Sequence, residues 1–280
     1  MTSNRINTTI SIKNNNTMNT IFKYSMMFAA ALTLAMGATS CSDDNNDDHV
    51  GTFGTNELKE VNADYVDNTI VATYRNLANY NKVLMTDINA MTDDAGVAKA
   101  CDTWRLSRKW WEFSEAFLFG AAGDYNIDPH TDTWPFDKTQ FENYMNLYKN
   151  LQLGGEGEQN ESATAIIDEA ITTGQNLTGF HAVEYLIFRN GQPRHFADLT
   201  ANEIYFAKAA ARDLYISSLK LVSAWGGNVS ADEQALLDEV EFASSINYGK
   251  NFKNAGNAGS TYSTTVLASK EIIAGAKEII

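Results

Sequence analysis

The sequence is poor in cysteine, proline and basic residues: its 280 residues include two Cys, three Pro and 21 Lys plus Arg. Two cysteines form at most one disulfide, which excludes a disulfide-stapled scaffold. So few prolines, with 18 glycines, exclude a collagen-like or low-complexity chain. With 35 Asp plus Glu, a net charge of -14 and no clustered Lys/Arg, a nucleic-acid partner is not expected. The 44% hydrophobic and 20% charged residues are typical of a globular protein.

The N-terminal segment has the features of a bacterial export signal. Its only charged residues are basic: Arg5, Lys13 and Lys23. The apolar run at 24–38 is too short and too rich in small residues to predict a membrane span. Small residues then lead directly to Cys41, an arrangement that resembles the lipobox of bacterial lipoproteins. We therefore predict a lipoprotein signal peptide over 1–40 and lipidation of Cys41, with an ordinary signal peptide and an incidental cysteine as the alternative.

An acidic, amide-rich segment follows, and it predicts a flexible tether over 41–55. An acidic cluster behind the lipidated cysteine also resembles the surface-export signal of Bacteroidota lipoproteins. We expect an outer-membrane lipoprotein, held to the membrane by a lipid on Cys41, at the cell surface or else in the periplasm. Cys101 then has no partner for a disulfide within the chain. The folded domain is expected over 56–280.

Helical spacing of apolar residues dominates the rest of the chain. It predicts helices over 56–91, 97–119, 138–151, 163–172, 178–188, 201–225, 231–248 and from 265 onward. Loops are expected over 120–137 and 248–264. Thr200 with Glu203, and Ser230 with Glu233, form capping boxes that open two of the helices. No alternating pattern is long enough to predict a sheet, so the expected fold is all-α, with helices packed as bundles.

The segment 178–188 carries the first candidate site, because it is apolar all round its axis and should be buried. His181 and Glu184 are its only ionisable residues, and their i, i+3 spacing places them on one face. Each needs a hydrogen bond, a counter-charge or a metal. With Thr178 as N-cap, His181 lies in the first turn, where the helix dipole favours a neutral, metal-ligating imidazole. The alternative is a structural His–Glu pair that joins two helices.

A second predicted helix contributes two carboxylates, Glu112 and Glu115. Glu115 lies on the apolar stripe that includes Trp111 and is therefore expected to be partly buried. Glu112 is i+4 from Arg108, and the alternative role for that pair is a surface ion pair worth under about 1 kcal/mol. Together with the His181 helix, the two glutamates would supply three carboxylates and an imidazole, a set that suits iron, manganese or zinc.

Other metal motifs fit less well. The spacing His181-x-x-Glu184 is not a zinc-protease motif of known mechanics, because those motifs need a second histidine. Four residues alternate like the ligands of a calcium loop: Asp124, Asn126, Asp128 and Asp132. Prolines stand where an EF-hand needs Gly and Glu, so a solvated acidic loop is expected there.

Three blocks resemble the imelysin-like family: Trp104-Arg105 with Trp111-Glu112-x-x-Glu115-Ala-Phe-Leu-Phe-Gly120, Asp132-Thr-Trp-Pro-Phe-Asp137, and Gly179-x-His181-x-x-Glu184. The resemblance implies an all-helical protein of two bundle-like halves, exported, often lipid-anchored and associated with bacterial iron acquisition. It implies a site at Gly179, His181 and Glu184, with Glu112 and Glu115 as neighbours. Family members continue past Ile280, and the apolar pattern runs to the last residue, so we expect an incomplete C-terminal half.

Three functions remain open. The first is an iron-uptake lipoprotein that binds iron, another metal or an iron complex without catalysis, with an iron-uptake protein as its partner. The second is a helical interaction module in which the motif only pins two helices together. The third is a metallopeptidase, the class in which the family is filed. Catalytic zinc usually has three protein ligands, so Glu112 or Glu115 would have to add to the two that the His181 helix supplies.

Overall fold

A long uninterrupted helix opens the described part of the chain. The computed structural model describes residues 55–147, 167–168, 170–171 and 177–254, all within one compact unit. The helix joins α1 (Thr55–Asp64), a π-helical segment (Tyr65–Val71) and α2 (Ala72–Asn89). Its buried residues recur three or four apart, or at multiples of that spacing: Val66, Ile70, Tyr74, Leu77, Leu84 and Ile88. An apolar stripe of this kind is what makes the segment helical and buries one of its faces.

Helix α3 (Asp94–Glu112) follows after a short connection and packs against α2. The Asp93 side chain caps it by accepting a hydrogen bond from the Gly96 amide at 2.8 Å. The helix ends at Glu112, and the prediction that it continues to 119 was wrong. Ser114 is buried, its hydroxyl donates to the Trp111 carbonyl at 2.6 Å, and a 3₁₀ turn (Glu115–Phe117) follows. A hydroxyl that satisfies a carbonyl of the last helical turn helps to end the helix there.

Two short helices lie where a loop over 120–137 was predicted: α4 (Ala121–Asp124) and α5 (Ile127–Asp132). Their buried residues are Ala121, Ala122, Ile127 and Thr131, too few to show a helical period in the sequence. The solvated acidic loop predicted here is therefore a pair of helices that pack on the core. Helix α6 (Lys138–Leu147) begins at the predicted residue.

The next helix, α7 (Gly179–Ile187), leads into a two-residue antiparallel hairpin of β1 (Phe188–Arg189) and β2 (Gln192–Pro193), which the sequence did not predict. A 3₁₀ turn at Phe196–Asp198 then leads to α8 (Ala201–Ala224). The hairpin is shorter than any alternating pattern could reveal.

Both predicted capping boxes are present, at Thr200 for α8 and at Ser230 for α9 (Ala231–Glu239). Helix α9 ends well before the predicted 248, because Glu241 takes a left-handed conformation with φ 52°. The Phe242 amide then donates to the Leu237 carbonyl at 2.9 Å, which closes the helix end. Helix α10 (Tyr248–Lys253) starts inside the loop predicted over 248–264.

The core forms where α8 packs against α2 and α7, while α2 also packs against α3. Apart from the small hairpin the described elements are helical, so the all-α prediction is confirmed. None of the described helices is long and apolar enough to cross a bilayer. The predicted export signal, Cys41, the tether, the helix from 265 onward and most of the helix over 163–172 lie outside the described residues, and the domain bounds stay a prediction.

Candidate functional site

Gly179 fixes where α7 begins. Its φ of 75° belongs to the left-handed region, and a Cβ built on it would overlap the Thr131 carbonyl group. The Thr178 hydroxyl donates to the His130 carbonyl at 3.2 Å. The first turn of α7 therefore lies directly against the end of α5, a close approach that only glycine allows. Thr178 is the N-cap residue, as predicted.

His181 bridges two carboxylates in this contact. Its Nε2 lies 3.1 Å from Asp132 Oδ1 on α5, and its Nδ1 lies 3.1 Å from Glu184 Oε2 one turn further along α7. The His181 side chain is 15% exposed, whereas Glu184 is 44% exposed. Both ring nitrogens therefore contact a carboxylate oxygen. Glu184 was expected to be buried with the rest of its helix, but it lies near the surface.

Asp132 connects three helices. Its carboxylate accepts hydrogen bonds from Arg108 and from Trp111 Nε1 of α3, the latter at 2.9 Å, in addition to its contact with His181. Burial opposes ionisation, but the hydrogen bonds from His181 and Arg108 outweigh it and lower the Asp132 pKa to about 2. Asp132 is therefore an anion at neutral pH, held between a guanidinium and an imidazole.

The contacts of His181 favour its protonated form. Burial lowers its pKa, but hydrogen bonds to Asp132 and Glu184 outweigh the burial and raise the pKa to about 9. The helix dipole was expected to favour a neutral imidazole, whereas the two nearby carboxylates favour the protonated form. An imidazolium donates from both nitrogens and has no lone pair for a metal.

Glu112 and Glu115 do not join His181 in a compact group. Glu112 Oε1 pairs with Arg108 Nε at 2.6 Å, which is the ion pair of the alternative role, although the Arg108 side chain is only 19% exposed. Glu115 is exposed because α3 ends before it, so its expected place on a buried stripe was wrong. Desolvation, and then the charges of Glu112 and Asp132, raise its pKa. Among the described residues no three His, Cys, Asp or Glu side chains are grouped to hold a metal ion, and the metal site stays a prediction.

An open groove of about 540 Å³ runs beside this cluster, and we call it the aromatic groove. Its lining includes His181 and Glu184, four aromatic side chains beside Tyr185, and three basic side chains. The four aromatic residues are Trp104, Trp134, Phe136 and Phe188, and the basic residues are Arg105, Lys138 and Arg189. Trp134 is 72% exposed, and its ring centroid lies 4.7 Å from that of His181.

Sequence reasoning missed two residues of this site. Asp132 is the carboxylate that the buried histidine needs, although it appeared only in a calcium-loop pattern and in a family block. Trp134, in the same block, is the exposed ring beside His181. Helical periodicity could reveal neither, because both contact His181 from a segment about 50 residues earlier in the chain. The Asp132–Asp137 block was the one signal that marked them.

The fold and the His181 cluster define a class of all-α protein in which a G-x-H-x-x-E helix is held to a neighbouring helix by an ion-pair network. The chain belongs to the imelysin family, whose model, described as Imelysin, matches residues 70–279. The resemblance inferred from the three sequence blocks is thereby confirmed.

The chain is similar to two proteins described as iron-regulated. It is 26% identical over 215 residues to Iron-regulated protein A of Synechococcus elongatus, covering 75% of this chain and 49% of that protein. A crystal structure described as a putative iron-regulated protein A precursor from Parabacteroides distasonis has a TM-score of 0.57 and 26% identity, covering 75% of this chain and 53% of that one. The chain therefore spans about half the length of these relatives.

Proposed function

We propose that this protein is an exported lipoprotein of bacterial iron uptake that binds an iron complex in the aromatic groove, without catalysis. The observation that carries the proposal is the position of the groove, which is lined by both ionisable residues of the G-x-H-x-x-E helix. Membership of the imelysin family and a relative named Iron-regulated protein A support the link to iron.

A complexed form of iron fits the site better than a bare ion. Both His181 nitrogens contact carboxylates, and the Asp132 oxygens are already bonded to Arg108, Trp111 and His181. A bare ion at His181 would have to break these contacts and displace a proton. A chelate supplies its own iron ligands, so the protein needs only to recognise the outside of the complex.

Iron retention by the purified full-length chain tests the proposal. The chain is incubated separately with ferrous sulfate, ferric citrate and ferric salicylate, desalted, and analysed for iron by mass spectrometry. We expect about one iron per chain from at least one source, and a loss of most of it in the His181→Ala/Glu184→Ala double variant.

The matched control is His195→Ala/Asp94→Ala, which removes another His–carboxylate pair, exposed and outside the groove, joined at 2.8 Å. It should retain iron like the parent chain. Negligible retention from all three sources, in parent and variants alike, would exclude the iron-binding proposal.

Export and anchoring have a separate test at Cys41. In a bacterial host fed radiolabelled palmitate, the parent chain should incorporate label and fractionate with the outer membrane. Cys41→Ser should lose the label and appear in a soluble fraction. An unlabelled parent chain that is still exported would support the ordinary signal peptide instead.

A helical interaction module is the second candidate, favoured by the way that His181 ties α7 to α5. In that case His181→Gln would lower the thermal stability of the chain and leave iron retention from every source unchanged. A proteolytic activity that chelators abolish would instead point to the metallopeptidase.

A further inference from the structure

The aromatic groove has a charge that contrasts with the rest of the chain. Its lining includes the basic residues Arg105, Lys138 and Arg189 against a single acidic residue, Glu184, although the chain has a net charge of -14. Three basic side chains against one acidic side chain in the lining favour an anion over a free cation at this surface, although Asp102 and Glu142 at its edge offset part of the charge of Arg105 and Lys138. A bare metal cation is therefore a poor fit for this groove.

The basic side chains are available to a ligand to different degrees. Arg105 and Lys138 contact the carboxylates of Asp102 and Glu142 at exposed positions, at 2.8 Å and 3.7 Å, where ion pairs are weak. Arg189 has no ion pair with any residue in the described ranges, and its guanidinium lies 4.4 Å from the centre of the Tyr185 ring. A guanidinium that contacts a ring and has no carboxylate partner has N–H groups available to donate to an anionic ligand.

Aromatic rings form the walls between these charges. Arg105 lies 4.8 Å from the centre of the Phe188 ring, and Trp104 packs edge-on against the same ring at 5.4 Å. Trp134 projects into solvent with 72% of its surface exposed, the most exposed large hydrophobic side chain among the described residues. Leaving so large an apolar ring in water is unfavourable, and such rings mark binding surfaces.

We infer that the aromatic groove binds a small anion with a flat aromatic part, such as an aryl carboxylate or phenolate. The anionic oxygens face Arg189, Arg105 and Lys138, and the flat part stacks on Trp134. The groove volume of about 540 Å³ is in the range of small-molecule sites. The inference rests on the proposed function and names the class of iron chelator whose complex the groove takes.

Salicylate is the probe, because it is a flat aromatic anion that also chelates iron through its carboxylate and phenolate oxygens. Binding to the full-length chain is measured by calorimetry for salicylate, for its neutral analogue salicylamide, and for citrate, an anion without a ring. We expect salicylate to bind at least tenfold more tightly than either, and ferric salicylate to bind more tightly than ferric citrate.

Groove variants locate the binding. Arg189→Gln/Lys138→Gln should weaken salicylate binding at least tenfold, while Lys82→Gln/Lys250→Gln, the same charge change at exposed lysines outside the groove, should change it less than twofold. Trp134→Ala should weaken it about fivefold, and Phe113→Ala, at a 51% exposed ring outside the groove, should not. The ligand comparisons on the unaltered chain decide the question even if a variant misfolds.

The outcomes separate this inference from the proposed function. Iron retained from ferric citrate as well as from ferric salicylate, with no binding of salicylate alone, overturns the aromatic-anion inference and leaves the iron function standing. Groove-dependent binding of salicylate with no iron retained from any source supports the ligand class and overturns the iron function. Absence of all binding overturns both.

Discussion

A single carboxylate, that of Asp132, holds the candidate site together. Its Oδ1 contacts both His181 and Arg108 and its Oδ2 accepts from Trp111, so that α3, α5 and α7 meet at its two oxygens. Each of these groups would be costly to bury alone, and each is satisfied by the others. Together with Glu184, the same residue raises the pKa of His181 and favours its protonated form.

Gly179 gives the sharpest prediction for a single residue. In Gly179→Ala the new methyl group meets the Thr131 backbone in addition to the strain of a positive φ. We expect the strain to cost about 1–2 kcal/mol and the overlap a further ~1–3 kcal/mol of unfolding free energy. Urea denaturation of the two proteins measures the sum.

Gly191→Ala is the matched control, because Gly191 has a φ of 76° with no atom within 4 Å of a built Cβ. It carries the backbone strain alone. Equal losses in the two variants would mean that α7 does not approach α5 as closely as the structure places it.

At the residue scale, the sequence predicted which side chains require a polar partner better than it predicted which residues those partners are. The i, i+3 spacing of His181 and Glu184 inside an apolar helix predicted that both would require a partner, and they contact each other at 3.1 Å. The sequence did not identify Asp132, because a contact between residues 49 positions apart depends on how α5 and α7 pack. Glu115 was misplaced for a more local reason: α3 ends where the Ser114 hydroxyl bonds to the Trp111 carbonyl, and helical periodicity does not report that bond.

On the scale of helices, a buried polar side chain joins α2, α3 and α8. Asn81 of α2 is fully buried, and its Nδ2 donates to Ser218 Oγ at 2.7 Å and to the Leu214 carbonyl at 3.2 Å, both on α8. The Ser107 hydroxyl of α3 donates to Asn81 Oδ1. Because these bonds are directional, they fix the register of α2 against its two neighbours.

Asn81→Ala should therefore cost more than a typical surface substitution. Removing the amide leaves the buried Ser107 hydroxyl without its acceptor and takes two bonds from α8, where the Ser218 hydroxyl still donates to the Leu214 carbonyl. We expect a loss of about 1–3 kcal/mol in chemical denaturation. Asn79→Ala changes an exposed residue of the same helix and should stay within about 0.5 kcal/mol of the parent. Similar losses in both variants would mean that the Asn81 network adds nothing beyond helix propensity.

Helix boundaries were predicted correctly where a local capping pattern in the sequence sets them. The capping boxes at Thr200 and Ser230 are local patterns, and α8 and α9 begin where they predict. The end of α9 depends on a left-handed Glu241, a conformation that its residue type does not predict. The short α4 and α5 exist because they pack on the core, which local periodicity does not report.

On the scale of the whole molecule, the described histidines have one kind of partner, a carboxylate. The three in the described residues each contact a carboxylate: His130 with Asp213, His181 with Asp132 and Glu184, and His195 with Asp94. Burial lowers the pKa values of His130 and His181, but their carboxylate partners outweigh burial and raise both pKa values. Asp94 also raises the pKa of the exposed His195. An acidic chain thus gains stability from protonated histidines.

The free energy of unfolding should therefore fall as the pH rises from 6 to about 10. A histidine with a raised folded pKa contributes fully below its unfolded pKa of about 6.5, and the contribution is lost as the pH rises through the folded pKa, about 9 for His181. We expect the well-buried His181 to account for a loss on the order of 2 kcal/mol, measured by urea denaturation across this range. His181→Gln should be less stable at pH 6 and show a flatter profile, in which the contribution of the His130–Asp213 pair remains. His195→Gln, at a 78% exposed pair, should keep the parent profile because surface pairs contribute little. A parent chain equally stable at both ends of the range, or a His181→Gln profile as steep as that of the parent, would show that the His181 cluster is not an ion-pair network in solution.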